Sequence, residues 1–247
     1  MIGLVASATA CCLPKRSLLS DLPTAVRLGW RFVPGQILGY QLRTTHAQAE
    51  APSVRVERWR FQVVDLVGQV ATLRADLIAS TDPADQAHTV ATRMRLGRDG
   101  RVTPLVAPDC SAVGIGLRGC FSDHLASWML ALALPPRPVR PGDRWDDPQQ
   151  TEPFVPVLPD GLEAATRSRC TLADIYRVDN GEVRVDIQTD TELRTPDGPA
   201  LSAAGTATWN PVRGLLLSRR MRVSLLGAGP DPGALDLHLT FDPRPLQ

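Results

Sequence analysis

The chain is nearly free of lysine and poor in aromatic residues. Lys15 is the one lysine among 27 basic residues, and aromatic residues make up 5% of the 247 positions. The arginines are scattered without a basic run, and the formal net charge is +1. Nucleic-acid binding requires a clustered basic footprint, so this pattern argues against a nucleic-acid partner. No segment offers the ~20 consecutive apolar residues of a membrane-spanning helix.

Motifs of catalysis and cofactor binding are also missing. The sequence holds no G-x-S-x-G, no H-E-x-x-H and no C-x₂-C, the signatures of a serine hydrolase, a zinc protease and a structural zinc site. Residues 114–119 match G-x-G-x-x-G, but the βαβ unit and the acidic residue of a dinucleotide fold are absent around them. We therefore expect that the protein is not an enzyme and that it binds no cofactor and no metal.

The first twelve residues predict a cell-envelope address. The run MIGLVASATACC is apolar, and its residues 8–11 fit the small residues that precede the lipidated cysteine of bacterial lipoproteins. Cys11 is therefore the candidate lipidation site, residues 1–20 a signal-like tether, and residues 21–247 a single β-rich domain. The basic residues that usually open such a signal are missing, so a cytoplasmic N-terminus is the alternative. Membrane contact is expected only through an acyl anchor.

The cysteine count is compatible with an oxidising compartment. If Cys11 carries a lipid, the remaining four cysteines form an even set. Cys110 and Cys120 bracket a short glycine-bearing loop and are predicted to form a disulfide, which leaves Cys12 and Cys170 free or joined. The alternative is a pair of buried free thiols at 110 and 120.

Alternation of apolar residues predicts strands through most of the chain. The pattern runs over 38–42, 88–96, 215–225 and 235–241, and each run predicts a strand with one buried face. Asn180-Gly181 lies between two such runs and predicts a hairpin with a type I′ turn. Short connections favour antiparallel pairing. The predicted fold class is mainly β, a long coiled antiparallel sheet forming a half-barrel or open barrel with one packing α-helix.

Three local features interrupt the strand pattern. Buried parity changes between Val56 and Trp59, which predicts a β-bulge near Glu57–Arg58. Residues 122–134 carry an apolar stripe behind a serine cap and predict the helix. Residues 135–159 hold eight prolines, which predicts an extended connector over the surface between two halves of the sheet.

Three short phrases resemble a known group of proteins. They are RFVPGQILGY at 31–40, VRPGDRW at 139–145 and GTATWNPVRGLLL at 205–217. Together with the mid-chain helix they resemble secreted bacterial proteins with a half-barrel sheet, similar in outline to the lipoprotein carrier and LppX-type folds. The resemblance covers residues 28–242. It implies a curved antiparallel sheet that wraps an apolar ligand against helices.

A ligand site, if present, is expected between the helix and the strands that face it. Arg219 lies in phase with buried neighbours and is either an anchor for a ligand carboxylate or phosphate, or an arginine paired within the protein. One helix and few aromatic residues favour a dense core over a wide cavity. The candidate ligand-binding residues are Phe61, Met94, Trp128, Met129, Arg219 and Met221.

Three functions remain open from the sequence. The first is a non-enzymatic envelope protein that binds or presents a partner. The second is a carrier of an apolar ligand or lipid within the half-barrel. The third is a structural subunit of an envelope assembly, whose partner is another envelope protein.

Overall fold

The fold is built on one large antiparallel sheet. The computed structural model describes residues 22–47, 53–81, 91–105, 125–147, 165–195, 198–225 and 234–243. Within these ranges the strands are β1 (Ile37–Ala47), β2 (Ser53–Val67), β3 (Val70–Ser80), β4 (Ala91–Gly97), β5 (Val102–Pro104), β6 (Arg144–Asp146), β7 (Ala165–Arg177), β8 (Val183–Thr195), β9 (Gly198–Asn210), β10 (Leu215–Leu225) and β11 (Ala234–Phe241).

The sheet consists of two meanders that meet in the middle. Its strand order is β5-β4-β3-β2-β1-β11-β10-β9-β8-β7-β6. Pairing of β1 with β11 joins the meander β1 to β5 to the meander β6 to β11. The outermost strands have three residues each, and short edge strands are one way in which natural sheets discourage pairing with other chains. The sheet stays open, and the predicted mainly-β fold with an open antiparallel sheet is confirmed.

The chain between β5 and β6 connects opposite edges of the sheet. It includes a short helix, α1 (125–130), which packs on the buried, inner face of the sheet. Val139 forms an antiparallel bridge with Val26, and the backbone N–H of Leu134 donates to the carbonyl of Asp99 at 2.8 Å. Leu134 and Val139 are buried, so the described part of the proline-rich connector is anchored in the core.

Helix α1 ends four residues before the C-terminal end predicted at residue 134. The backbone N–H of Ala133 donates to Asp147 Oδ2 at 3.0 Å, and its carbonyl accepts from Trp145 Nε1 at 2.7 Å. These contacts occupy backbone groups that another helical turn would use, and two prolines follow directly. Neither contact can be seen in the local sequence pattern. The predicted start at 122 lies outside the described residues.

The β7–β8 turn differs from the predicted type I′. That type needs positive φ at both central residues, but Gly181 has φ 81° and Asn180 does not share it. The Gly181 N–H donates to the Val178 carbonyl at 2.8 Å, and the Asn180 side chain accepts from the Glu182 N–H at 3.0 Å. The result is a three-residue loop, a type I turn followed by a left-handed glycine.

The predicted bulge near Glu57–Arg58 lies on the neighbouring strand. Register between β2 and β3 skips Ile78 opposite Arg58, so the extra residue belongs to β3. Strand β2 buries every second residue from position 57 to position 63 without interruption. The apparent phase error arises because Val54 points away from the core and is 46% exposed.

The described hairpin turns all lie at one end of the sheet. They are formed by residues 68–69, 98–101, 178–182 and 211–214, and this end is called the tight-turn end below. The opposite end of the sheet is called the far end, and the inner face extends from one end to the other.

In the part of the chain that the structure describes, no helix is long and apolar enough to cross a membrane.

Candidate functional site

The six residues predicted to bind a ligand are all buried, each no more than 2% exposed. They lie on β2, β4, β10 and α1, and five of them belong to one hydrophobic cluster with Arg219 buried beside it. Ligand binding by these residues stays a prediction. The predicted lipidation site Cys11 and the predicted disulfide partners Cys110 and Cys120 lie outside the described residues.

Arg219 holds the C-terminal end of α1 on the sheet. Its Nη1 donates to the carbonyl of Trp128 at 3.0 Å and to that of Ala131, and its guanidinium carbon lies 5.3 Å from the centre of the Trp128 ring. Carbonyls at a helix C-terminus lack intrahelical partners and carry partial negative charge. Burial lowers the pKa of Arg219 to about 10, against an opposing effect of Asp147. The positive charge of the guanidinium therefore complements the partial negative charge at the C-terminal end of α1.

Large side chains fill the half of the inner face nearest the tight-turn end. Trp30 of the N-terminal segment meets Trp209 edge to face at 4.9 Å between ring centroids, and Tyr40 meets Phe61 at 5.9 Å. The Tyr40 hydroxyl donates to the carbonyl of Leu216 at 2.9 Å, and burial raises its pKa above the ordinary value. We call this the aromatic half, formed by Trp30, Leu38, Tyr40, Trp59, Phe61, Val63, Val185, Trp209 and Leu216.

Small and hydroxyl side chains line the other half of the inner face, toward the far end. Across the sheet, Met221 faces Gly205 and Gly205 faces Thr189, while the next row joins Ala203 to Thr191. On β7, β8 and β9 none of these described inner positions is larger than threonine. We call this region the far half, formed by Thr44, Ser168, Cys170, Thr189, Thr191, Ala203, Gly205, Met221, Val223 and Leu237.

Hydroxyl groups in the far half differ in how they are satisfied. Ser168 Oγ and Thr191 Oγ1 lie 2.9 Å apart and share a hydrogen bond. The Thr189 hydroxyl is buried and has no hydrogen-bond partner among the described residues. Buried polar atoms in folded proteins are normally hydrogen-bonded, so the Thr189 hydroxyl can serve a polar atom of a bound molecule.

A buried ion pair on β2 flanks the far half, and the sequence reasoning missed it. Glu57 is 1% exposed, pairs with Arg55 and accepts a hydrogen bond from Trp59 Nε1 at 3.0 Å. Thr44 lies directly opposite Arg55 on β1 and is also buried. A signal was available, because Glu57 shares its parity with the buried residues that follow it.

The far half offers no activated nucleophile among its described residues. Cys170 is a buried free thiol, and burial, followed by the nearby Asp147 carboxylate, raises its pKa to about 12. It stays protonated at neutral pH and behaves as a small apolar residue. Within the described ranges, no three His, Cys, Asp or Glu side chains come together as a metal site.

Comparison with known proteins gives distant structural likenesses only. No family model matches the chain, and no curated protein matches it. Lipovitellin, from a structure of its lipid–protein interactions, is 11% identical with a TM-score of 0.49 over 88% of this chain. This chain spans 26% of the lipovitellin chain, about a quarter of it.

Two bacterial structures are more distant still. A DUF1329 family protein from Desulfovibrio piger is 9% identical with a TM-score of 0.25, over 84% of this chain and 86% of the other. A domain named for outer membrane lipoprotein sorting, from Vibrio parahaemolyticus, is 9% identical with a TM-score of 0.24 over the same shares. At 9–11% identity, no site residue can be transferred from these proteins.

Proposed function

We propose that this chain is a non-enzymatic protein of the bacterial cell envelope that binds an apolar ligand or lipid on the far half of its inner face. The observation that carries the proposal is the change in side-chain size along that face. Tryptophan, tyrosine and phenylalanine fill the aromatic half, whereas alanine, glycine, serine and threonine line β7 to β9 in the far half. The small side chains fill less volume on that half of the sheet, and the proposal is that a ligand takes up the difference.

The chemistry of the far half suits an amphipathic molecule. Ligand sites are mostly apolar with a few placed polar groups. Met221, Val223 and Leu237 supply apolar surface in the middle of the sheet, and the Thr189 hydroxyl and the Glu57 ion pair supply polar atoms on either side. A hydrocarbon chain with one small polar group fits this arrangement.

Uptake of a fluorescent fatty acid tests the proposal. Ala203→Leu adds volume on the inner face of β9, where Ala203 is 2% exposed. Ala204→Leu adds the same atoms one residue along, where the side chain is exposed on the outer face. We expect the wild type and Ala204→Leu to bind the probe, and Ala203→Leu to bind it at least about tenfold more weakly, because a leucine occupies ligand space.

Stability distinguishes a ligand site from a packed core in the same experiment. If the far half holds space, Ala203→Leu keeps its melting temperature within the range of Ala204→Leu. Overpacking of a filled core instead costs roughly 1–3 kcal/mol. No uptake by the wild type, or loss of stability without any change in uptake, contradicts the proposal.

The envelope address rests on residues 8–11 and is tested separately. The intact mass of protein from the membrane fraction should show a chain that starts at Cys11 and carries acyl groups. A product in the cytoplasm that keeps Met1 contradicts it. Ligand uptake by the far half does not depend on this result.

Exposed valines at the tight-turn end favour a second candidate function, a subunit of an envelope assembly. Val33, Val67 and Val212 are 63%, 71% and 65% exposed, and apolar surface of this kind can mark a protein interface. Native mass spectrometry of the purified protein tests this. A stoichiometric partner that is lost in Val67→Asp/Val212→Asp supports the assembly, and a monomer under the same conditions contradicts it.

A further inference from the structure

A row of basic side chains crosses the outer face where the two meanders join. Arg43 on β1 is directly opposite His238 on β11, and His238 is directly opposite Arg220 on β10. Directly opposed residues in antiparallel strands point to the same face, with Cβ atoms roughly 5 Å apart. The row continues through Thr206 and Gln188, so it holds no carboxylate across five strands.

This row lacks the ion pairs that other arginines of the outer face make. Arg60 pairs with Asp76 at 3.1 Å and Arg222 lies 4.0 Å from Asp236. Among the described residues, Arg43 and Arg220 form no ion pair. Arg43 and Arg220 lie on either side of His238, roughly 10 Å apart across two strand spacings. Their positive charges repel each other, so the row favours a bound anion that would relieve the repulsion.

We propose that Arg43, His238 and Arg220 form a binding site for a phosphate group. Two guanidinium groups flank the imidazole, and guanidinium matches phosphate oxygens with parallel hydrogen bonds. Arg220 Nε donates to His238 Nε2 at 3.3 Å, and the Thr240 hydroxyl lies 3.1 Å from the same nitrogen. In the free protein the imidazole is therefore an acceptor. When phosphate binds, Nε2 takes up a proton from the solvent and both arginines turn to the anion.

The electrostatics around His238 agree with this geometry. Burial lowers its pKa, and the nearby Arg220 and Arg43 lower it further. The charged groups that face His238 from the described strands are Arg43 on β1, Arg220 and Arg222 on β10, and Asp236 on its own strand. Asp236 already faces Arg222, which leaves the two unpaired arginines to set the local potential.

Histidine NMR with inorganic phosphate is the direct test. His238 is assigned by its loss in His238→Gln, and the other three histidines serve as internal controls. Phosphate should raise the pKa of His238 relative to chloride at equal ionic strength. Arg43→Gln and Arg220→Gln should each weaken phosphate binding about tenfold. A pKa that responds equally to phosphate and chloride, or a shift that persists in the double variant, overturns the proposal.

Vesicles distinguish the two sources of such a phosphate. The wild type, Arg43→Gln/Arg220→Gln and the charge-matched control Arg101→Gln/Arg194→Gln are sedimented with phosphatidylglycerol or phosphatidylcholine vesicles. Binding to the anionic vesicles by the wild type and the control, but not by the site variant, identifies a lipid headgroup. A phosphate response without that difference identifies a soluble phosphate compound. If the protein shows neither the vesicle response nor the phosphate response, the proposal is overturned. These experiments do not test ligand binding on the inner face.

Discussion

The two halves of the inner face share the same strands but differ in what they bury. The aromatic half is closed by rings and by the N-terminal segment, which hydrogen-bonds to the tight turns through Trp30 and Arg31. The far half presents small and hydroxyl side chains on the continuation of the same strands. In the proposed function, the aromatic half stabilises the sheet and the far half binds the ligand.

The largest expected effect comes from removing a ring from the aromatic half. Trp209→Ala should lower the free energy of unfolding by roughly 3–5 kcal/mol, as large aromatic truncations in packed cores do. Thr191→Ala in the far half should cost about 1 kcal/mol, the value of its hydrogen bond to Ser168. Chemical denaturation measures both. Similar losses at the two positions would remove the distinction between the halves.

Arg219 lies between the two halves and holds the C-terminal end of α1 on the sheet. Arg219→Met keeps most of the side-chain volume but removes the charged donor to the carbonyls of Trp128 and Ala131, and we expect a loss of about 3 kcal/mol. Arg222→Met, three residues further along β10 on the exposed outer face, should change stability by less than about 0.5 kcal/mol. Thermal and urea unfolding report both variants. A neutral Arg219→Met would show that α1 is held by apolar packing alone.

The tight turns differ in how closely they pack on the aromatic half. Gly214 has φ 62°, and a Cβ there would lie 2.5 Å from Arg31 Cγ and 2.7 Å from the Gly29 carbonyl. Gly181 has φ 81° and open space around it. Gly181→Ala should therefore cost about 1 kcal/mol from backbone strain alone. Gly214→Ala should cost about 1–3 kcal/mol more, and equal losses would contradict the close packing.

The smallest effect is expected on the outer face, through His238. Its pKa is lowered in the folded state, so the unfolded chain binds the proton more readily. Stability from this group is complete above the unfolded value of about 6.5 and declines as pH falls toward the folded pKa. His238→Gln should flatten the stability profile in that range. If the substitution leaves the pH profile of stability unchanged, the pKa of His238 is not lowered in the folded protein.

Much of the sheet could be predicted from the sequence, because each strand with one buried face has a period of two. The alternation around Leu38 to Leu42 and Leu235 to Phe241 identifies two strands that pair in the middle of the sheet. These two strands are far apart in the sequence, and local patterns do not show which strands pair with each other. The order of the strands therefore required the structure.

The site was predicted less well than the strands. Buried apolar residues such as Phe61 and Met221 follow from parity, but small residues carry no such signal, and the far half consists largely of them. Glu57 was missed because a charged residue in a buried phase was interpreted as a bulge. The early end of α1 was missed because a local pattern shows neither the contacts of Ala133 with Asp147 and Trp145 nor the hydrogen bonds from Arg219 to the carbonyls at the helix end.

Native mass spectrometry of protein purified from its own host tests the central claim most directly. We expect the wild type and Ala204→Leu to carry an additional small-molecule mass that extracts into organic solvent, and Ala203→Leu to carry no such mass. Retention of the same mass by Ala203→Leu, or a bare wild type that also fails to take up added fatty acid, would contradict a ligand site on the far half.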